Sequence, residues 1–135
     1  MSHNYNNSRM PFLLVVDDDP DLLTLLSAHY NVRGYEVAVA ESCEAALRLA
    51  AERRPDAVLL DFCLPRMDGA RFIEILRADE LTKNTPVVVM SAASAHWVTS
   101  RLPQDTLIGM IEKPFEFAAL DPMIESLMAA AAARP

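Results

Sequence analysis

Short apolar runs rich in valine and leucine recur along this chain, and each is followed by a polar residue. Such runs are typical of strands that are buried on both faces of a parallel sheet. In an open α/β sheet, ligands bind at the carboxyl ends of the strands, where these polar residues would lie. The runs and the residues after them are Phe12–Val16 with Asp17, Val58–Leu60 with Asp61, Val87–Met90 with Ser91, and Leu107–Ile111 with Lys113.

Helical patterns alternate with the strand patterns, which indicates repeated βαβ units in an α/β domain. The predicted strands are Phe12–Val16, Tyr35–Ala40, Asp56–Leu60, Pro86–Met90 and Leu107–Ile111. The predicted helices cover 20–32, 42–53, a segment from Gly69 through Leu76, a short segment around 94–102, and an alanine-rich segment near the carboxyl end.

Two helices carry more specific predictions. We assign the inner face of the first helix to Leu22, Leu25 and Leu26. Proline is best tolerated at the first position of a helix. We therefore expect the last helix to begin at Pro122, with Asp121 as its cap.

Composition narrows the possible functions. The 135 residues suit one domain, predicted over residues 11–135, after a polar and disordered tail over residues 1–10. The net charge of −7 and the lack of a Lys/Arg cluster argue against direct nucleic-acid binding. No apolar run reaches the length of a membrane span and no signal peptide is recognisable, so we expect a cytoplasmic protein.

The cysteines and histidines do not form a metal-binding pattern. Cys43 and Cys63 stand far apart, and we interpret them as reduced thiols of a cytosolic protein. His29 falls in an apolar helical pattern beside Tyr30, which favours a packed histidine over a metal ligand.

The polar residues that follow the strands favour a cation and a phosphoryl group. Carboxylates gathered in one pocket repel each other and resist ionisation unless a cation is present. Mg²⁺ prefers hard oxygen ligands and keeps several waters, so two or three aspartates and one carbonyl suffice. A simpler interpretation of the acidic trio before Pro20 is helix-capping charge.

Four motifs in order resemble the receiver domain of two-component response regulators, and the resemblance covers about Phe12 to Met128. Ser91 follows Asp61 by 30 residues and Lys113 follows Ser91 by 22, which are intervals similar to those of that family. The motifs are Asp17-Asp18, the segment Leu60–Gly69, Ser91-Ala92 and Lys113-Pro114-Phe115.

The resemblance implies a flavodoxin-like fold, with five parallel strands in the order 2-1-3-4-5 and five helices. It implies that Asp61 takes a phosphoryl group from a sensor histidine kinase or a histidine phosphotransfer protein. Its implied Mg²⁺ ligands are Asp17, Asp18, Asp61 and the backbone carbonyl of Cys63. Lys113 would pair with Asp61 and would then contact the phosphoryl group together with Ser91 and Ala92. The Lys113–Pro114 bond would be cis.

The resemblance further implies a signalling protein that catalyses only its own phosphorylation and dephosphorylation. The side chains of Cys63 and Ala93 would flank the path of the water that attacks the phosphorylated residue. Output would pass by protein contact through the fourth helix, the fifth strand and the last helix, to a downstream protein or to a second copy of the chain.

Two positions depart from the family pattern. Met110 stands where the family usually has Tyr or Phe, the ring that swings inward on activation. Trp97 lies in the short fourth helix, which Pro103 interrupts. Met110 is either simple core filling or part of a relay. Trp97 either packs on its own sheet or anchors a partner.

Two other classes of function compete with the receiver. A small Mg²⁺-dependent phosphatase of the haloacid dehalogenase type also uses aspartate after a strand, and Asp17-x-Asp19 could mimic its motif. Asp21 then stands where that family has Thr or Val, and Asp61 would have no role. A binding module that ignores phosphate is the other alternative, which the retained acids, hydroxyl and lysine disfavour.

Overall fold

A five-stranded parallel sheet forms the centre of the computed structural model, which describes residues 10–134. The spatial order of the strands is β2-β1-β3-β4-β5, as predicted. The strands are β1 (Phe12–Val16), β2 (Glu36–Ala40), β3 (Ala57–Asp61), β4 (Val87–Ser91) and β5 (Ile108–Glu112).

Five helices cover the two faces of this sheet. They are α1 (Pro20–Val32), α2 (Cys43–Glu52), α3 (Gly69–Ala78), α4 (Ala95–Thr99) and α5 (Phe117–Ala132). The apolar side chains of α1 and α5 pack with one face of the strands. Those of α2, α3 and α4 pack with the other face. The chain is therefore a three-layer α/β structure, as the alternating patterns predicted.

The inner strands end at polar residues that still belong to the sheet. β1, β3 and β4 are buried along their whole length, because helices cover both of their faces. The last pairs in the ladders join Asp61 to Met90 and Ser91 to Glu112. Asp61 and Ser91 are thus the final residues of β3 and β4, one position later than the predicted strand ends.

The buried face of α1 is rotated from the prediction. The helix begins after Asp19, whose carboxylate accepts hydrogen bonds from the backbone of Asp21 and Leu22. Leu23, Leu26 and Tyr30 are its buried residues, whereas Leu25 is 54% exposed. The assignment of Leu25 to the core was wrong, because the spacing of three and four residues that faces the sheet starts at Leu23.

The start of α5 also differs from the prediction. The helix begins at Phe117, and Pro122 lies inside it. A proline here removes one backbone hydrogen-bond donor, the one that would reach the carbonyl of Ala118. Burial of Leu120 and Ile124, on either side of the proline, compensates for that loss.

A polar cluster fastens α5 to α1. Asp121 accepts a hydrogen bond from the Tyr30 hydroxyl at 2.7 Å, and His29 Nε2 lies 3.1 Å from both of its carboxylate oxygens. The His29 ring also stacks on Phe117, with centroids 3.6 Å apart. Arg33 extends the cluster through an ion pair with Glu125. His29 is therefore a packed histidine.

The predicted disordered tail over residues 1–10 lies, except for Met10, outside the described residues. Within residues 10–134, none of the helices combines the length and the apolar character that crossing a bilayer requires.

Candidate functional site

Three carboxylates meet at the carboxyl edge of the sheet. Asp17 follows β1 directly and Asp61 ends β3, the neighbouring strand, so the sheet itself brings the two residues together. With Asp18 they form a group in which one carboxylate oxygen of each residue lies within 4.8 Å of the others. Asp17 and Asp61 are buried, whereas Asp18 faces solvent.

Lys113 supplies a positive charge to this cluster from the end of β5. Its Nζ lies 2.7 Å from Asp17 Oδ2 and 3.8 Å from Asp61 Oδ1. We predicted that Asp61 would be its partner, but Asp17 holds it more closely. Asp17 is the more buried carboxylate, and its other oxygen already accepts a hydrogen bond from the Asp19 backbone. The Lys113 ammonium therefore pairs with Asp17, the carboxylate for which burial without a counter-charge would cost more.

The local environment opposes ionisation of Asp61. Burial raises the pKa of this carboxyl, and the nearby charge of Asp17 raises it further. The ammonium of Lys113 and the backbone N–H of Cys63 act in the opposite direction without cancelling the rise. A cation among the three carboxylates would remove this penalty, because it favours the charged form of each.

The donor set of this cluster fits a small hard cation. All three side chains offer carboxylate oxygens, and Mg²⁺ is usually held by one or two protein carboxylates together with waters. Exposed Asp18 leaves one side of the group open to solvent. Asp19, the third acid of the run, caps α1 instead. The helix-capping interpretation of the trio is therefore correct for Asp19.

Ser91 is buried beside this edge with its hydroxyl oriented by the next turn. Its Oγ accepts a hydrogen bond from the Ala93 backbone at 3.0 Å. Its carbonyl accepts one from the Lys113 backbone at 2.8 Å, which aligns the ends of β4 and β5. Ala92 is exposed between these residues. The predicted cis bond between Lys113 and Pro114 is present.

The loop between β3 and α3 begins at the same edge, directly after Asp61. Cys63 is exposed in this loop. The buried thiol of Cys43, which lies on α2, donates a hydrogen bond to the backbone carbonyl of Met67 in the loop. Arg66 has a φ of +76°, a left-handed conformation that costs energy for most residues other than glycine and asparagine. Asp68 accepts a hydrogen bond from the Arg71 backbone and so caps α3.

Trp97 and Met110 occupy different environments. Trp97 on α4 is 39% exposed, and its indole meets the ring of Phe62 edge-on at a centroid distance of 5.7 Å. The guanidinium of Arg101 lies 4.0 Å from the centre of the indole. Met110 on β5 is half-buried and packs against the core cluster beneath α2, α3 and α4.

Sequence reasoning missed two of these relationships. It did not anticipate that Lys113 would lie closest to Asp17, nor that Phe62 would contact Trp97. The position of Phe62 directly after Asp61 was visible, but nothing in a linear pattern indicates which helix a buried ring will touch.

With this geometry in view, the chain belongs to the response regulator receiver domain family, which it matches over residues 13–125. It is 37% identical to the transcriptional regulatory protein PrrA of Mycobacterium tuberculosis over 125 residues, covering 87% of this chain and 50% of that protein. It is 35% identical to the transcriptional activator protein PfeR of Pseudomonas aeruginosa, covering 95% of this chain and 41% of PfeR. The chain thus spans at most half the length of these relatives.

Solved structures agree with the assignment. The receiver domain of sensor histidine kinase PA1611 from Pseudomonas aeruginosa has a TM-score of 0.79 and 25% identity, covering 90% of this chain and 99% of that one. That receiver holds a magnesium ion in its active-site cleft. A response regulator from Chloroflexus aurantiacus gives a TM-score of 0.80 and 28% identity, covering 90% of this chain and 99% of that one.

Proposed function

We propose that this receiver domain accepts a phosphoryl group on Asp61 from the phosphohistidine of a sensor kinase or of a phosphotransfer protein. The observation that carries the proposal is the group formed by Asp61, Asp17 and Asp18, with Lys113 beside it. Phosphoryl transfer needs positioning and charge neutralisation more than covalent chemistry from the protein. This group offers a carboxylate nucleophile, a lysine and a cation site at one edge of the sheet.

In the transfer, a carboxylate oxygen of Asp61 bonds to phosphorus as the bond from phosphorus to the histidine nitrogen breaks. The histidine keeps the electron pair of that bond and takes a proton. Asp17, Asp18, Asp61 and the backbone carbonyl of Cys63 would hold Mg²⁺, which neutralises the charge of the phosphoryl oxygens when bound. Lys113 provides a second positive charge, 3.8 Å from Asp61.

Ser91 is suited to bind the phosphoryl group after transfer. Its oxygen accepts the Ala93 N–H, and the hydroxyl proton, which that bond does not use, can donate to a phosphoryl oxygen. The exposed Ala92 offers a backbone N–H beside it without a bulky side chain. Together with Lys113 these groups would favour the phosphorylated form of Asp61.

The phosphatase alternative does not fit the contacts of the first acidic run. In that mechanism Asp17-x-Asp19 would form the nucleophile motif. Asp19 is instead engaged in capping α1, and the buried Asp61 would have no role in that mechanism. A phosphate-independent binding module would have no use for a buried Asp61 whose ionisation is opposed. Label that remains on the protein, rather than turning over an external substrate, distinguishes a receiver from a phosphatase.

We further propose that the output is protein contact through the face formed by α4, β5 and α5. Trp97 on α4 is 39% exposed, and aromatic residues are common anchors of interfaces. The partner is a downstream protein or a second copy of this chain. Replacement of Trp97 by alanine should weaken that association while phosphorylation proceeds normally.

The test of the phosphoacceptor is uptake from acetyl phosphate, followed by intact mass in the presence and absence of Mg²⁺. Wild-type protein should gain one phosphoryl group only with Mg²⁺, and Asp61→Asn should gain none. Asp19→Asn is a matched control, because asparagine also caps helices and Asp19 is not part of the carboxylate group. Asp18→Asn should raise the Mg²⁺ concentration required. Uptake by Asp61→Asn equal to that of wild type would refute the assignment.

A further inference from the structure

Phe62 joins the proposed phosphoacceptor to the helical layer. It follows Asp61 directly, and its backbone N–H continues the sheet by donating to the Met90 carbonyl at 3.0 Å. Its ring is only 2% exposed. Gly69, the first residue of α3, lies so close that a Cβ there would come within 2.7 Å of the Phe62 ring. The ring is therefore confined on the α3 side.

On another side, the Phe62 ring meets α4. Its contact with the Trp97 indole is edge-to-face, with an interplanar angle of 87° at 5.7 Å. Such pairs contribute about 0.5–1.5 kcal/mol beyond their buried area and have a defined geometry. Arg101 holds the indole in turn, because its guanidinium covers the ring and its Nη1 donates to the Trp97 carbonyl at 3.3 Å.

Trp97 is also tied to the other proposed phosphoryl contact. The Oγ of Ser94 accepts a hydrogen bond from the Trp97 backbone at 3.3 Å. Ser94 follows Ser91 by three residues, and the Ser91 hydroxyl already binds the intervening Ala93 backbone. A shift of either Asp61 or Ser91 therefore reaches Trp97 through a short and contiguous set of contacts.

Met110 packs against the core cluster that contains Phe62, but with a flexible thioether rather than a ring. It packs among core residues on β5, and a thioether adapts to a change in shape by small rotations about several bonds. The Phe62–Trp97 pair, with Arg101 packed against the indole, has fewer possible arrangements than a thioether. It is consequently better suited to transmit a displacement.

We propose that the Phe62–Trp97 pair couples the phosphoryl site to α4 in this chain, in place of an aromatic ring at position 110. Phosphorylation of Asp61 displaces the junction between β3 and the following loop. The confined Phe62 ring passes this displacement to Trp97 and changes the exposed surface of α4. Phe62 acts here as a positioning residue, and the inference rests on the proposed phosphorylation of Asp61.

The sole tryptophan of the chain makes the coupling directly measurable. Protein labelled with 5-fluorotryptophan should give a single ¹⁹F signal from Trp97. Addition of beryllofluoride, which stands in for the phosphoryl group, should shift this signal in the wild-type protein. Phe62→Leu should lose most of that shift while still taking up a phosphoryl group from acetyl phosphate. Met110→Leu is the matched control and should keep the full shift.

Each outcome bears on the proposal. A full Trp97 shift in Phe62→Leu, or loss of the shift in Met110→Leu alone, would overturn it. Normal phosphoryl uptake with no Trp97 response in the wild-type protein would overturn the coupling and leave the proposed function standing. Absence of uptake in the wild-type protein would overturn both. If Phe62→Leu does not fold, the test is the set of NOEs between the rings of Phe62 and Trp97 in the wild-type protein. Coupling requires these NOEs to change when beryllofluoride is added, and unchanged NOEs would overturn the proposal.

Discussion

Lys113 lies closer to Asp17 than to Asp61, with Nζ 2.7 Å from Asp17 Oδ2 and 3.8 Å from Asp61 Oδ1. The buried carboxylate of Asp17 thus has a resident counter-charge in the metal-free protein. Mg²⁺ at the same carboxylates would compete with that ion pair, and the lysine would then be available to Asp61 and, on the proposed function, to a phosphoryl group bound there.

Lys113→Met should destabilise the metal-free protein by an amount on the order of 3 kcal/mol, because it leaves the buried Asp17 carboxylate without its counter-charge. Saturating Mg²⁺ should reduce this loss, since the cation supplies the missing positive charge. Urea unfolding with and without Mg²⁺ measures both effects. Arg71→Met, which removes an exposed ion pair with Glu74, is the control and should cost less than about 1 kcal/mol in either condition. Equal losses for Lys113→Met in both conditions would contradict the argument.

Asp61→Asn should stabilise the metal-free protein at neutral pH. Burial and the charge of Asp17 raise the pKa of Asp61 in the folded state, so its ionised form is disfavoured there relative to the unfolded chain. Its contribution to stability is fully present below the unfolded pKa, about 4, and is lost as pH rises through the folded pKa. Asparagine cannot ionise and avoids that loss.

Chemical denaturation of the two proteins over a pH series measures this difference. The advantage of Asp61→Asn should be largest near pH 7, should shrink as the pH falls through the folded pKa of Asp61, and should be smallest below about pH 4. Mg²⁺ should also reduce the stability advantage of Asp61→Asn, because the cation stabilises the wild-type carboxylate. An advantage that stays constant with pH would show that charge is not its origin.

The lifetime of the phosphorylated protein should depend on Cys63 and Ala93. These residues stand two positions after Asp61 and Ser91, and neither side chain offers a carboxylate or amide to orient an attacking water. Cys63 is exposed and Ala93 is half-buried. Cys63→Asn and Ala93→Glu should each change the rate of dephosphorylation, measured by loss of label after removal of the phosphodonor. Unchanged decay in both variants would exclude control from these positions.

Arg66→Asn should raise the free energy of unfolding by about 0.5–1 kcal/mol. Arg66 holds a φ of +76°, which an ordinary side chain adopts only at a cost, whereas asparagine tolerates the left-handed region. Thermal or urea unfolding measures the gain. Arg66→Val is the opposing control, because a β-branched side chain fits this region least well and should destabilise the loop. A stabilising valine would show that the backbone conformation is not the cause.

Tyr30→Phe should cost about 1–2 kcal/mol of stability. The Tyr30 hydroxyl donates to Asp121 at 2.7 Å, and its loss leaves a partly buried carboxylate short of one donor. Tyr35→Phe is a control that keeps the donors of Asp121 in place and should cost less. Urea unfolding of the three proteins provides the comparison. Similar losses in both variants would assign the effect to general packing.

The carboxyl-edge cluster could be predicted from the sequence because parallel topology fixes it. Once β1, β3 and β5 are recognised as parallel strands, Asp17, Asp61 and Lys113 must share one edge of the sheet. The choice between Asp17 and Asp61 as the partner of Lys113 could not be predicted. It depends on the relative burial of two carboxylates, which only the packed structure determines.

The helical errors have a related origin. Leu22, Leu25 and Leu26 make a plausible apolar face, but α1 buries Leu23 instead of Leu25. The leucines of this helix offer more than one apolar face, and packing against the sheet determines which of them is buried. Local rules likewise favoured a helix start at Pro122. Tertiary burial of Leu120 and the bonds of Asp121 to α1 outweigh the single backbone hydrogen bond that the proline removes.

The separation of Asp17 and Lys113 along the chain has a consequence for biosynthesis. The two residues are 96 positions apart and meet only when the last strand has joined the sheet. A nascent chain that still lacks β5 contains Asp17 and Asp61 without the positive charge of Lys113. The ion pair can form only after β5 has been synthesised, so Asp17 stays without its counter-charge until the sheet is complete.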